Sequence, residues 1–312
     1  MDKFVIITDS TADLGKEFQE KYGIILLNGH LVLPDGREIP SRVEWKEFTR
    51  EEFYTDLKKN PSGYKTSPPN VQEYAEAFRK YVSEGYGVLA ITISSGISGA
   101  FGFMSAAREL VLQEDPDAKI CCIDSMRFGP SIGLLCVYAA IYRSQGMDLE
   151  QTCKEVEKIK SRMHQAGWMD DLSFVAKKGR ITHASAFMGT LVGIKPLGDF
   201  DSNGLTSVIG KVKGAKSAYR ALLEYMEKTI EDPEDQIIFL AQTGREKQAD
   251  EFCSMIKERF HPKEIYVNEV YQACGANIGP GLMAAYYLGT TLSENLTEEK
   301  NIMNEIINGG SL

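Results

Sequence analysis

Phe4–Thr8, Val88–Ile93 and Ile120–Ile123 are short apolar runs, and each leads through polar or small residues into a longer segment of helical character. Those segments are Leu14–Tyr22, Ala100–Leu112 and Gly129–Ser144. Parallel strands need a crossover of about a dozen residues or more, usually a helix. The alternation therefore predicts a mostly parallel sheet with helices on both faces. Between the first two runs, Ile24–Leu33 ends in the turn signal Pro34-Asp35-Gly36. Thr49 with Glu52, and Asn70 with Glu73, mark two helix starts, each pairing a capping side chain with an acid three residues on.

The second half reads differently. Asp148–His164 is an amphipathic helix bridging two domains, and Leu172–Val175 a short strand. Leu191–Leu197 and Leu205–Ile209 flank Asp201-Ser202-Asn203-Gly204, a hairpin signal. Helix 213–230, strand 236–241, helix 244–259 and strand 264–270 complete a mixed sheet, and an apolar helix is expected after Gly281. The chain is 312 residues long, enough for two cores. The expected fold is α/β in two domains. Residues 1–158 form a mostly parallel sheet with helices on both faces, and residues 159–312 a mixed α/β sheet domain.

Composition removes several function classes. Lysine plus arginine is 35 against 44 acids, a net charge of -9, which argues against a nucleic-acid partner. Gly129–Tyr142, the longest near-apolar stretch, is too short to span a bilayer, so no integral membrane association is expected. Asp2 and Lys3 followed by a short apolar run do not read as a signal peptide, and a cytoplasmic location is expected. The six cysteines form no C-x-x-C pair and are expected to be structural thiols. His30, His164, His183 and His261 are scattered, so no metal and no cofactor is expected.

Four segments rich in hydroxyls and small residues remain. Thr8-Asp9-Ser10-Thr11 closes the first strand, where ligands bind in open parallel sheets. Thr66-Ser67-Pro68-Pro69 holds two hydroxyls on a chain stiffened by proline. Ser94-Ser95-Gly96-Ile97-Ser98-Gly99 joins a strand to a helix whose start offers free N–H groups to an anion. Gly275-Ala276-Asn277-Ile278-Gly279-Pro280-Gly281 is a rigid turn. Each also suits a purely structural role. Asp9 and Thr11 fit a helix cap, Thr66 and Ser67 a turn, the serine loop a plain connection and Pro280 a helix start. No phosphate-binding P-loop, dinucleotide fingerprint or nucleophile elbow occurs. Hydroxyls without a partnering base indicate binding rather than nucleophilic attack.

In combination and in order, these segments resemble the DegV family from Phe4 to about Leu288. The resemblance rests on Thr8 to Leu14, Thr66-Ser67-x-Pro69, Ser94 to Gly99, Ile123-Asp124-Ser125, Lys178-Gly179-Arg180-Ile181, Gly193-Ile194-Lys195-Pro196 and Gly279-Pro280-Gly281. It implies a non-catalytic, two-domain protein holding one long-chain fatty acid in a tunnel between its domains. It further implies a partner, the separate ATP-dependent subunit of a bacterial fatty acid kinase, to which the carboxylate is presented.

By that resemblance, Thr66 and Ser94 or Ser95 would hydrogen-bond the carboxylate. Asp9, Ser10, Ser98, Asn277 and Gly279 would belong to the same site, with Arg180 a basic residue near its entrance. Phe101, Phe103, Met104, Phe187, Met188, Leu191, Ile194, Leu282 and Met283 are the apolar supply for such a tunnel, or ordinary core. Three departures stand out. Ala276-Asn277 replace a common Thr-His pair, Ala100-Phe101 a common Thr-Tyr, and Lys178 a common glycine. Asparagine hydrogen-bonds but cannot carry a proton near neutral pH as histidine can. The alternatives are a lipid-responsive regulator not coupled to a kinase and a phosphotransfer enzyme. The latter needs a histidine at the strand-end site, and the N-terminal motifs hold none.

Overall fold

The computed structural model describes residues 3–181 and 193–309. The chain begins with β1 (Phe4–Asp9), α1 (Lys16–Tyr22) and β2 (Ile24–Leu27). A small antiparallel flap follows, made of β3 (Gly29–Val32), β4 (Glu38–Ser41) and, after α2 (Arg50–Lys59), β5 (Lys65–Ser67). Then come α3 (Val71–Ser83), β6 (Gly87–Thr92), α4 (Ala100–Glu114), β7 (Ile120–Asp124), α5 (Pro130–Ser144) and α6 (Leu149–Lys160). The first sheet has the order β2-β1-β6-β7 and is parallel throughout. Its central strand β6 is buried at every position, hence the unbroken apolar run in the sequence. Both expected capping boxes form, Thr49 with Glu52 on α2 and Asn70 with Glu73 on α3.

The second sheet is built from β8 (Met163–Met169), then, after α7 (Ser173–Lys177), β9 (Ile194–Phe200) and β10 (Thr206–Lys213). After α8 (Ala215–Thr229) come β11 (Ile237–Gln242), α9 (Glu246–Phe260), β12 (Glu264–Glu269), α10 (Gln272–Ile278), β13 (Leu282–Leu288) and α11 (Thr297–Gly309). Its order is β10-β9-β8-β13-β11-β12, with β11 and β12 parallel and the remaining pairs antiparallel. Helix α5 is buried from Pro130 to Ala140, because β1 packs on one side of it and β11 and β13 on the other. A helix enclosed on all sides is apolar on all sides. One continuous core thus runs from Ile6 and Leu89 of the first sheet to Phe239 and Tyr286 of the second. The expected boundary, 158/159, lies in the last turn of α6, after the strands of the first sheet and before β8.

Several elements differ from expectation. The bridging helix stops at Lys160, and His164 lies in β8, with Nδ1 2.7 Å from the Asp199 carboxylate. Both faces of β8 are buried, so its sequence carries no alternation, and the buried polar residues His164 and Gln165 disguise it further. The apolar segment after Gly281 is the strand β13, not a helix, again because both faces are covered. A buried apolar run of that length fits either element. Leu172–Val175 is not a strand. Helix α7 begins at Ser173, whose N–H donates to Asp171 at 2.8 Å. Cys121 and Cys153 are joined as a disulfide between β7 and α6, contrary to the expectation of free thiols throughout. That expectation came from sequence spacing, whereas the Cα atoms lie 6.6 Å apart in space. Among the described residues, no helix is long and apolar enough to cross a membrane.

Candidate functional site

Three segments of the N-terminal half meet α7 and α10 around a cavity of about 700 Å³. From the turn after β1 come Ser10 and Thr11, and from the end of the flap Thr66, Ser67 and Pro68. The loop after β6 supplies Ile97 and Ser98. The opposite wall is Val175, Arg180, Cys274, Asn277 and Ile278. Among the described lining residues Arg180 carries the one formal charge, and no carboxylate borders the space.

The site residues expected from sequence divide into two groups. Ser10, Thr66, Ser98, Arg180 and Asn277 all border the cavity. The Ser10 hydroxyl accepts from Gly29 N–H at 3.1 Å, tying the first turn to the flap. Thr66 Oγ1 accepts from Asn277 Nδ2 at 2.9 Å, and the same nitrogen donates to the Ala273 carbonyl. The Ser98 hydroxyl accepts from Ala100 N–H at the start of α4. Arg180 donates to the Lys178 carbonyl, while Lys178 itself reaches the Tyr64 carbonyl at 3.3 Å. Desolvation, with the Arg180 charge beside it, pushes the Lys178 ammonium below its ordinary range.

Asp9, Ser94, Ser95 and Gly279 do not border the cavity. Asp9 is buried behind it, where its carboxylate accepts from Thr11 N–H at 2.8 Å and from the Tyr74 hydroxyl at 2.7 Å. Burial raises its pKa despite those donors. Ser94 is fully buried, its hydroxyl accepting from Gly96 N–H at 3.1 Å, and its loop packs on the hairpin turn at Gly204. Ser95 is exposed, its N–H held by Asp124 at 3.1 Å. Gly279 has φ of +76°, and a Cβ there would lie 2.7 Å from the Phe174 ring. Asp9 and Ser94 are buried away from the cavity lining.

Phe128, Val175 and Ile278 border both this cavity and a second chamber of about 460 Å³. The chamber lies against β8, β9, β10 and β13, with Leu172, Ile181, Val208 and Leu282 among its walls. Gly167 and Gly198 face each other across β8 and β9 and both border it, and a Cβ at Gly167 would lie 2.5 Å from that of Ala284, so the glycines let the strands forming this wall pack closely. Sequence reasoning missed this chamber because it missed β8, and the adjacent glycines come from strands far apart in the chain. Of the apolar supply expected for a tunnel, Leu282 lines the chamber. Phe101 and Met104 pack under the first sheet, and Met283 belongs to the outer core. Phe103 is exposed and Ile194 half-buried. Phe187, Met188 and Leu191 lie outside the described residues.

A space polar at one end and apolar at the other, on this pair of sheets, can be compared with known proteins. The model of a family described as "Uncharacterised protein, DegV family" matches residues 3–290. The chain belongs to the DegV family. A DegV domain-containing protein of Clostridium perfringens is 32% identical over 293 residues, 93% of this chain and 99% of the relative. A DegV family protein from Thermus thermophilus, named for its fatty acid binding, has the same fold. Its TM-score is 0.82 at 24% identity, covering 92% of this chain and 99% of that one. DegV of Bacillus subtilis, described as a fatty acid binding protein, matches at 25% identity with a TM-score of 0.76, covering 93% and 100%.

Proposed function

We propose that this DegV protein binds one long-chain fatty acid, with the carboxylate in the outer cavity and the acyl chain in the inner chamber. The observation that carries the reading is the contrast between two adjacent spaces that share Phe128, Val175 and Ile278: hydroxyls, an amide and Arg180 border the outer one, and mostly apolar side chains the inner one. The fatty acid binding named for the Thermus and Bacillus relatives supports the same reading.

Thr66 accepts from Asn277, which leaves the hydroxyl's own proton to donate to a carboxylate. Ser10 and Ser98 likewise accept backbone N–H groups and keep a proton to donate. Neutral donors satisfy the head group once water is excluded. They also avoid a strong ion pair that would make the carboxylate a poorer nucleophile. A sixteen-carbon chain buries about 14 methylenes, worth roughly 11 kcal/mol before several kcal/mol of lost freedom are subtracted. In this reading residues 1–158 supply the head-group loops and residues 159–312 close the tunnel.

The finer reading is that the protein presents the carboxylate to a separate ATP-dependent kinase subunit in the cytoplasm. Arg180, at the cavity edge, suits an incoming phosphoryl group or an acidic partner surface. Asn277 favours a second reading, a lipid-responsive regulator without kinase coupling, because an amide cannot relay a proton. Denaturing extraction followed by mass spectrometry tests the first level. One equivalent of fatty acid is expected, and an empty extract with no uptake of added fatty acid overturns it. Reconstitution with a fatty acid kinase subunit tests the second. Acyl-phosphate formation supports presentation, with Arg180→Glu lowering turnover but not lipid affinity, and its absence favours the regulator.

A further inference from the structure

One side chain in the acyl chamber has no place in a site for a plain hydrocarbon. Gln165, on the central strand β8, is 3% exposed and borders the inner chamber. Its Nε2 donates to Thr206 Oγ1 at 3.3 Å, whereas its Oε1 is buried without a hydrogen-bond partner. Apart from Thr206 and Trp168, the described walls around it are apolar side chains and the paired glycines Gly167 and Gly198. Trp168 also borders this space and also has a free ring nitrogen, but its ring packs edge-on to Tyr219 in the outer core, 5.1 Å away. Gln165 projects from the other face of the strand, because successive side chains alternate.

A buried amide oxygen left unpaired costs free energy, and a methylene chain cannot relieve it. We propose that the preferred ligand carries a hydroxyl on its acyl chain, beyond the narrows formed by Phe128, Val175 and Ile278, and that this hydroxyl donates to Gln165 Oε1. The inference rests on the fatty-acid reading above and specifies the substrate class of that same site. A hydroxyl suits the position in either orientation of the amide. It donates to Oε1 as the side chain stands, and accepts from Nε2 if the amide is reversed. The class of ligand is therefore a long-chain hydroxy acid substituted away from its carboxylate.

The test uses delipidated protein and two kinds of probe, stearate and hydroxystearates with the hydroxyl at successive carbons. Affinities are read by competition against a fluorescent fatty acid. One position, or two adjacent ones, should bind about fivefold to tenfold tighter than stearate. Gln165→Met keeps the length and volume of the side chain. It should abolish that preference, read within the variant as the ratio of each hydroxystearate affinity to that of stearate. Stearate binding at least as tightly as every hydroxy isomer overturns the inference but leaves the fatty-acid reading intact. So does a preference that survives in the variant, or a crystal structure of the stearate complex with an ordered water satisfying Gln165. Failure of both probes to bind overturns both readings. If the variant does not fold, the isomer series on the unaltered protein decides alone.

Discussion

The Asn277 amide donates to the Thr66 hydroxyl at 2.9 Å, across 211 positions of sequence. A second donation, to the Ala273 carbonyl one turn back in α10, fixes the amide in its own helix. The flap and α10 are thereby joined at the outer cavity, and the Thr66 oxygen is held by a residue that itself borders that cavity.

Thr66→Ala should weaken fatty acid binding about tenfold, while Thr66→Ser keeps most of the affinity, because the hydroxyl alone is required. Asn277→Ala should cost less, since it removes only the aim. Isothermal titration on delipidated protein measures all three. Equal affinity in Thr66→Ala and the unaltered chain would show that Thr66 does not hold the head group.

The serine loop should respond through stability instead. Ser94→Ala removes the acceptor for Gly96 N–H from a fully buried place and should cost about 1 kcal/mol, with affinity changed less than about twofold. Gly204→Ala should cost more, about 2 kcal/mol. Its φ is +70° and a Cβ there would collide with the Ser94 side chain. Chemical denaturation gives both numbers, and a large loss of affinity in a stable Ser94→Ala protein would return Ser94 to the binding wall.

Asp13 makes stability depend on pH. It is 1% exposed and sits at φ of +47°. Its Oδ1 accepts from Tyr271 N–H at 2.8 Å and its Oδ2 has no partner. Burial raises its pKa well above the ordinary carboxyl range, and the Tyr271 bond only partly opposes this. Between the unfolded value near 4 and the raised folded value, the folded chain holds the proton and the unfolded chain does not. Stability therefore falls as pH rises through that window and is constant above it. Asp13→Asn should flatten this part of the profile and raise the melting temperature at neutral pH by roughly 1–2 °C, the shift that about 1 kcal/mol produces in a chain of this size. Buried Asp9 contributes a slope of the same sign, so the variant profile should be shallower rather than level.

The Cys121–Cys153 disulfide predicts a thiol count. Cys122, Cys136, Cys253 and Cys274 should react after denaturation without reductant, and all six cysteines after reduction. Cys153→Ser should lower the stability of the oxidised protein by about 2–4 kcal/mol, as measured by denaturation with and without reductant. Six reactive thiols before reduction would remove the bridge.

Both capping boxes were legible in advance, because Thr49 with Glu52 and Asn70 with Glu73 meet within one helical turn. The parallel first sheet was legible for a similar reason, since each strand is followed by the helix that carries the chain across. Strands β8 and β13 were not. Covered on both faces, they lack the alternation that separates a strand from other buried segments. The cavity was legible only in part. Ser10, Thr66, Ser98, Arg180 and Asn277 fall in motifs of recognisable order, whereas Asp9 and Ser94 in the same motifs turn inward.

By itself the sequence determined the family, the α/β class, the helix caps and the segments that border the outer cavity. These depend on residue order and on contacts within a few positions. Only the tertiary structure decided that Asn277 meets Thr66, that Gly167 lies beside Gly198 in the wall of the inner chamber, and that Gln165 borders it with its Oε1 unpartnered. Each of these is a contact, or a missing contact, between segments far apart in the chain. Sheet register and helix packing alone bring such segments together, and no local pattern encodes them.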